Sequence, residues 1–186
     1  MNAHKQATGS AYFSETKKQE IETHTLAVIA ENQPGVLARI IGLFAGRGYN
    51  IDSLTVSETE HEKHVSRFTI VTTGTAFVIT QIKAQLDRMV PVHSVADLTV
   101  DGDFLARELA MIKVKSEGDK RLEALRLGDA FRARVVDAST DSFIFELTGK
   151  PEKIDQFISL MVPLGLVEVS RTGVAGISRG LGALNV

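Results

Sequence analysis

The chain has 186 residues, a formal net charge of -2 and no cysteine. The absence of cysteine excludes disulfides and thiolate chemistry, and the nearly balanced charge gives no overall basic excess that would favour binding to nucleic acid. Hydrophobic residues make up 44% and charged residues 24%, which is typical of a globular protein. With 5 histidines and no tryptophan, the chain offers few groups for acid–base catalysis or for base stacking.

Both ends of the chain are polar or rich in glycine. Residues 1–23 are predicted to form a disordered N-terminal tail, and residues 173–186, which contain four glycines, are predicted to be a mobile C-terminal tail. No apolar run near the start has the character of a secretory signal, and none approaches the length of a membrane span. We therefore expect a cytoplasmic protein.

Residues 24–101 show the order of strands and helices of a ferredoxin-like βαββαβ domain. The first strand is an apolar run typical of a buried central strand, and the first helix carries apolar residues at the spacing of one helix face. Thr75 is a predicted N-cap of the second helix. The predicted elements are a strand at His24–Glu31, a helix at Val36–Ala45, strands at Tyr49–Ser57 and Val65–Thr73, a helix after Thr75 and a strand at Pro91–Val100.

The same order returns in residues 105–172, which predicts a second ferredoxin-like domain and an α+β fold. Two short motifs support a repeat, because Thr-Gly at Thr73 and Thr148 precedes a helix, and Met-Val-Pro at Met89 and Met161 follows that helix. Gly128 weakens one predicted helix. The predicted elements are a strand at Glu108–Lys115, a helix at Asp119–Phe131, strands at Arg134–Ala138 and Ser142–Thr148, a helix at Pro151–Val162 and a strand at Leu164–Ser170.

Two motifs that resemble reactive sites fail on their context. Residues 176–180 match G-x-S-x-G, but a nucleophile elbow needs a helix after it and a histidine downstream, and only six residues follow. His61 and His64 stand among glutamates at a spacing that is weak evidence for a metal site. We expect a solvated hairpin tip there, and we predict neither a metal site nor catalytic residues on this chain.

The most informative stretch is the turn Asn32-Gln33-Pro34-Gly35, which joins the first strand to the first helix. Free backbone N–H groups and the helix dipole at a helix N-terminus favour a carboxylate. Gly35 allows a ligand to approach the backbone closely, and the side-chain oxygen of Asn32 can accept from an ammonium group or cap the helix. A capped turn without any ligand also fits these residues.

Neighbouring side chains complete a predicted amino-acid site. Val36 and Leu37 are expected to form an aliphatic wall, and Asn50 is expected to face the same cleft from the start of the next strand. A small free amino acid with an aliphatic side chain fits this set. The predicted effector-binding residues are Asn32, Pro34, Gly35, Val36, Leu37, Asn50 and Ile51.

Residues 32–37 resemble the ligand-binding turn of ACT domains. Residues 34–44 and 47–56 are similar to one ACT-domain family in particular, the regulatory (small) subunits of acetolactate synthase, also called acetohydroxyacid synthase. Ser66–Ile70 fits the third strand of that family, and segments at Arg107–Leu109 and within 170–180 fit its C-terminal half. The chain departs from the shorter members of the family in its N-terminal tail.

The resemblance implies a regulatory subunit rather than an enzyme. Its partner would be a large catalytic subunit that carries thiamine diphosphate, Mg²⁺ and FAD, and that condenses two pyruvates, or pyruvate with 2-oxobutanoate, in branched-chain amino acid biosynthesis. The small subunit would stimulate this enzyme and confer feedback inhibition by valine, leucine or isoleucine. It would carry no cofactor and bind neither nucleic acid nor membrane. It would form a homodimer through its ACT domain, with the effector between the Gly35 turn of one chain and Asn50 of the other.

Two other functions remain open from the residues alone. A tandem ACT sensor could regulate another enzyme or gene expression, although the segment Ser170–Gly173 argues against it. A small ferredoxin-like acylphosphatase would need a phosphate-binding loop with an arginine after the first strand, where this chain has Gln33-Pro34-Gly35.

Overall fold

The chain folds into two units that repeat the same order of strands and helices. The computed structural model describes residues 20–60, 64–115, 117–182 and 184, and no helix among these residues has the length and apolar character needed to cross a membrane. The first unit consists of β1 (Ile21–Glu31), α1 (Val36–Arg47), β2 (Ser53–Glu60), β3 (Val65–Thr75), α2 (Ala76–Asp87) and β4 (Val92–Asp97). The second consists of β5 (Phe104–Lys115), α3 (Asp119–Phe131), β6 (Arg134–Ala138), β7 (Ser142–Gly149), α4 (Pro151–Gly165), β8 (Leu166–Arg171) and β9 (Ala175–Ser178).

Each unit contains one antiparallel sheet, and the two sheets have equivalent strand orders. The order is β2-β3-β1-β4 in the first unit and β6-β7-β5-β8 in the second. In addition, β9 pairs with the first four residues of β5. This arrangement confirms the predicted α+β fold with two ferredoxin-like βαββαβ units.

The core of the first unit lies between its sheet and its two helices. Leu26 and Val28 of β1 face the helices, and α1 contributes Val36, Ile40 and Phe44 at the spacing of one helix face. Residues 26–30 of β1 are at most 4% exposed, so this strand is buried on both faces, as predicted. The buried core residues of this unit are Leu26, Val28, Ala30, Val36, Ile40, Phe44, Phe68, Ile70, Ile79, Ile82 and Leu86.

The core of the second unit includes a contact that explains a glycine within a helix. A Cβ atom added at Gly128 of α3 would lie 2.7 Å from Cε1 of the buried Phe145 ring. Glycine at this position therefore lets α3 approach β7 closely, and α3 continues through it. The buried core residues of this unit are Ala110, Ile112, Val114, Ala124, Phe143, Phe145, Leu147, Ile154, Phe157 and Met161.

Several boundaries differ from the predicted ones because pairing and packing extend elements beyond the local pattern. β1 begins at Ile21, inside the predicted N-terminal tail, because Ile21 pairs with Thr75 of β3. Residues 1–19 of that tail lie outside the described residues. α4 passes through Pro163 and ends at Gly165, so the Met-Val-Pro motif lies within this helix and not after it.

The C-terminal segment is more ordered than predicted. The expectation of a mobile end is wrong for residues 174–178, because Val174 and Gly176 are buried and Ala175–Ser178 forms β9. β5 is longer than the strand predicted from its apolar pattern, and its residues 104–107 offer a free edge that β9 pairs with. The guanidinium of Arg67 on β3 donates to the carbonyl oxygen of Gly176 at 2.8 Å, which ties β9 to the outer face of the first sheet.

Candidate functional site

The turn between β1 and α1 is held by backbone hydrogen bonds from both sides. The N–H of Glu31 donates to the carbonyl oxygen of Pro91 at 2.8 Å, and the N–H of Asn32 donates to that of His64 at 2.6 Å. Gly35 is the N-cap of α1, as predicted, and has φ 88 and ψ -10, a left-handed conformation that favours glycine. A Cβ atom added there would meet nothing within 4 Å, so the space beside the turn is open to a ligand.

Within the described residues, no side chain caps the N-terminus of α1, including that of Asn32. The first turn of the helix contains no acidic residue. Val36 donates its N–H to Gln33 at 3.3 Å, whereas the N–H groups of Leu37 and Ala38 have no hydrogen-bond acceptor within the described part of the chain. The helix dipole adds partial positive charge at this end, so the turn suits a carboxylate.

The side chains predicted to line the site point in different directions. Val36 is 4% exposed and packs in the core, so only its backbone is available to a ligand. Leu37 is 41% exposed and remains available as an aliphatic wall. Ile41, four residues along α1, is 40% exposed and extends the apolar strip that Leu37 begins. The sequence pattern predicts Leu37, Ile40, Ile41 and Phe44 on one helix face, but only Ile40 and Phe44 lie in the core, whereas Leu37 and Ile41 are exposed.

Asn50 and Ile51 lie at the opposite end of α1 from the Gly35 turn. A helix of 12 residues is about 18 Å long, so one chain does not bring Asn50 and Gly35 into one cleft. The side-chain amide of Asn50 donates to Asp52 at 2.5 Å, and the Asn50 carbonyl oxygen accepts from the Thr72 hydroxyl at 2.6 Å. A site that contains both ends of α1 therefore needs a second copy of the chain.

A cleft of about 870 Å³ lies between the two units, away from the Gly35 turn. Its walls include Asp52 and Ser53 from the first unit and Glu108, Arg171 and Gly173 from the second. The sequence did not predict this cleft, because its walls come from segments that are distant in the chain.

The G-x-S-x-G motif, which its sequence context excludes as a nucleophile elbow, has no reactive arrangement in the structure either. Ser178 ends β9, and its hydroxyl donates to the carbonyl oxygen of Gly182 at 3.1 Å rather than lying in a turn before a helix. His61 lies outside the described residues. Among the residues that are described, no three His, Asp or Glu side chains are grouped so that they could hold a metal ion.

Comparison with known proteins gives the same family for both units. Residues 26–94 match the family model of the AHAS small subunit-like ACT domain, and residues 107–180 match the model of the small subunit of acetolactate synthase. The acetolactate synthase small subunit of Aquifex aeolicus is 44% identical over 166 residues, covering 89% of this chain and 85% of the relative. That of Mycolicibacterium smegmatis is 42% identical over 158 residues, covering 85% of this chain and 92% of the relative.

A solved structure agrees with these matches. The crystal structure of the acetolactate synthase small subunit from Thermotoga maritima superposes with a TM-score of 0.77 at 34% sequence identity. The superposition covers 87% of this chain and 99% of the Thermotoga chain, so the similarity includes both units.

Proposed function

The chain belongs to the family of acetolactate synthase small subunits, and on this premise we propose that it stimulates a catalytic acetolactate synthase subunit and confers feedback inhibition by valine or a related branched-chain amino acid. It is the regulatory, non-catalytic subunit of the holoenzyme. The catalytic partner is proposed to carry thiamine diphosphate, Mg²⁺ and FAD and to form 2-acetolactate from two pyruvates. We also propose a cytoplasmic location and no nucleic-acid or membrane partner.

The observation that supports this proposal most is that the first turn of α1, directly after Gly35, has backbone N–H groups without an acceptor in the described part of the chain. The carboxylate of an amino acid accepts hydrogen bonds from the free N–H groups of Leu37 and Ala38, where the helix dipole also favours it. The exposed side chain of Asn32 lies beside the turn, and its oxygen suits the ammonium group. The aliphatic side chain of the ligand packs on Leu37 and Ile41, which are both about two-fifths exposed.

The second half of the proposed site comes from another copy of the chain. β2 is an edge strand, and Val56 lies opposite Phe68, on the side of the sheet that the helices cover. Val56 is 39% exposed, and with Leu37 and Ile41 it gives this edge an apolar surface. Antiparallel pairing of two β2 edges would place the start of one α1 near the end of the other, and with it Gly35 near the partner's Asn50.

Regulation then follows from different affinities for two arrangements of the dimer. Valine shifts the population toward an inhibitory arrangement only to the extent that it binds that arrangement more tightly. Two-fold symmetry gives two equivalent sites per dimer, each formed by Asn32, Pro34, Gly35, Val36 and Leu37 of one chain with Asn50 and Ile51 of the other.

Reconstitution with the catalytic subunit from the same organism tests this function. We expect acetolactate formation to rise when this chain is added and to fall again with valine. Calorimetry on this chain with valine, leucine and isoleucine, and with glutamate as a control, ranks the effectors. An unchanged rate on adding the chain would contradict the proposal, as would inhibition by valine of the catalytic subunit alone.

A further inference from the structure

The segment that joins β8 to β9 makes hydrogen bonds to both units. In the second unit, Thr172 exchanges hydrogen bonds with Leu109 of β5, donating its N–H at 3.0 Å and accepting on its hydroxyl at 3.2 Å. In the first unit, the Val174 N–H donates to the Ser53 hydroxyl at 2.9 Å, and the Thr55 hydroxyl donates to the Thr172 carbonyl at 3.4 Å. We call residues 172–174, with Ser53 and Thr55, the junction.

Glycine is required at the centre of the junction. Gly173 has φ 82, in the left-handed region. A Cβ atom added there would lie 2.8 Å from the Ser53 hydroxyl, 3.0 Å from the Thr55 hydroxyl and 3.4 Å from the Leu54 carbonyl oxygen. A side chain at this position would therefore strain the backbone and displace either the Ser53 hydroxyl or the segment itself.

The junction is next to one half of the proposed effector site. Ser53 follows Asn50 by three residues, and the chain between them is held firmly. The N–H of Asp52 donates to the Val71 carbonyl at 2.8 Å, while its carboxylate accepts from Asn50 at 2.5 Å and from the Thr73 hydroxyl at 2.7 Å. Asn50 and Ser53 are therefore joined by a hydrogen-bonded segment rather than by a loose linker.

On its other side, the junction is anchored in the second unit by an ion-pair cluster. Arg171 directly precedes Thr172 and donates to both carboxylate oxygens of the buried Glu108, at 2.7 and 2.6 Å. It also donates to Asp155 of α4 at 2.6 Å. The hydrogen bonds that Arg171 donates to Glu108 raise the pKa of Arg171 above its usual range, so the guanidinium remains charged. Through Arg171, the junction is thus bonded to both β5 and α4.

We propose that the junction transmits the effector signal from the amino-acid site to the second unit, with Gly173 as its positioning residue. This inference rests on the proposed function. Typical couplings between two sites change affinity by about 5- to 150-fold, and a physical connection that both sites can bias is what such coupling requires. In this proposal the junction is that connection, since it is hydrogen-bonded to the segment that holds Asn50 and to the core strand of the second unit.

The substitution Gly173→Ala tests the role of the junction in the full chain assembled with its catalytic subunit. We expect valine affinity within about 3-fold of the unmodified protein, retained stimulation in the absence of valine, and a loss of most of the inhibition at saturating valine. The matched control is Gly180→Ala, because Gly180 has φ 79 but a Cβ atom there would meet nothing within 4 Å. The control should be inhibited like the unmodified protein.

A second variant keeps the test decisive if Gly173→Ala does not fold. Ser53→Ala removes the acceptor for the Val174 N–H without adding bulk or backbone strain, and it should weaken inhibition in the same direction but less. Normal inhibition in a folded Gly173→Ala protein or, where that variant does not fold, in Ser53→Ala would overturn the inference. Equal loss of binding and of inhibition would also overturn it, because the junction would then only support the site. If the unmodified protein neither binds valine nor responds to it, the proposed function itself fails.

Discussion

The first helices of the two units begin differently, although the units share one fold. The turn before α1 is open at Gly35, and the first turn of α1 contains no acidic residue. The turn before α3 also ends in a glycine, Gly118, but α3 carries Asp119 in its first turn. The second unit therefore supplies its own carboxylate at this helix N-terminus, whereas α1 has none there, which fits the ligand carboxylate that we propose for the first unit. A repeated fold thus does not imply a repeated site.

The outer faces of the two sheets differ as well. β9 and the start of β5 cover the outer face of the first sheet, where Ala27 and Ile29 are at most 4% exposed and burial lowers the pKa of Arg67. The outer face of the second sheet is exposed to solvent, with Met111 46% exposed and Lys113 paired to Glu168 at 2.6 Å. The first sheet is thus covered on both faces, whereas the outer face of the second sheet is exposed to solvent.

The largest expected effect comes from giving α1 the carboxylate that α3 already has. In Gly35→Asp, a charge about 4 Å from the ligand carboxylate, at an effective dielectric of about 20, adds repulsion of about 4 kcal/mol. Valine affinity should fall on the order of 1,000-fold, as measured by calorimetry. Stimulation of the catalytic subunit should persist, because a side chain at Gly35 meets nothing within 4 Å and the substitution adds only the backbone strain of its positive φ.

The control for this variant is Gly180→Asp, which adds the same charge at a similar positive φ with equally open space. It should leave valine binding unchanged. Normal inhibition in the Gly35→Asp protein would place the effector site elsewhere. The difference between the two helix N-termini would then have no role in effector binding.

A change of intermediate size is expected in the free energy of unfolding when a helix glycine of each unit is replaced by alanine. Gly128→Ala forces a methyl group against the buried Phe145 ring, which outweighs the gain in helix propensity, and should destabilise the second unit by about 1–2 kcal/mol. Gly46→Ala in α1 meets nothing within 4 Å and should stabilise the first unit by up to about 1 kcal/mol. Urea unfolding monitored by circular dichroism measures both, and equal effects would contradict the packing difference.

The smallest effect concerns the exposed face of the second sheet. The hydrogen bond from Lys113, together with its charge, lowers the pKa of Glu168. The pair therefore contributes stability above the ordinary glutamate pKa, and this contribution is lost as the pH falls through the lowered value. Lys113→Ala should return the pKa of Glu168 toward its usual range in an NMR titration. Arg134→Ala, which removes another cation of this sheet, should leave the pKa of Glu168 unchanged.

Most of the fold could be predicted from local patterns. The apolar run at residues 26–30, Ile40 and Phe44 on one face of α1, and Thr75 as an N-cap all agree with the structure, whereas Leu37 and Ile41, predicted on the same helix face, are about two-fifths exposed. These features depend on neighbours within one or two turns of the chain, so the sequence expresses them directly. The same holds for Gly35 at the start of α1.

The sequence by itself determined the order of the elements from β1 to β8, the family and the position of Gly35 at the start of α1. Tertiary structure decided that β9 pairs with Phe104–Arg107 and that Gly173 lies against Ser53. These arrangements join residues that are far apart in the chain. No local periodicity encodes such distances, because they are set by how completed elements pack together.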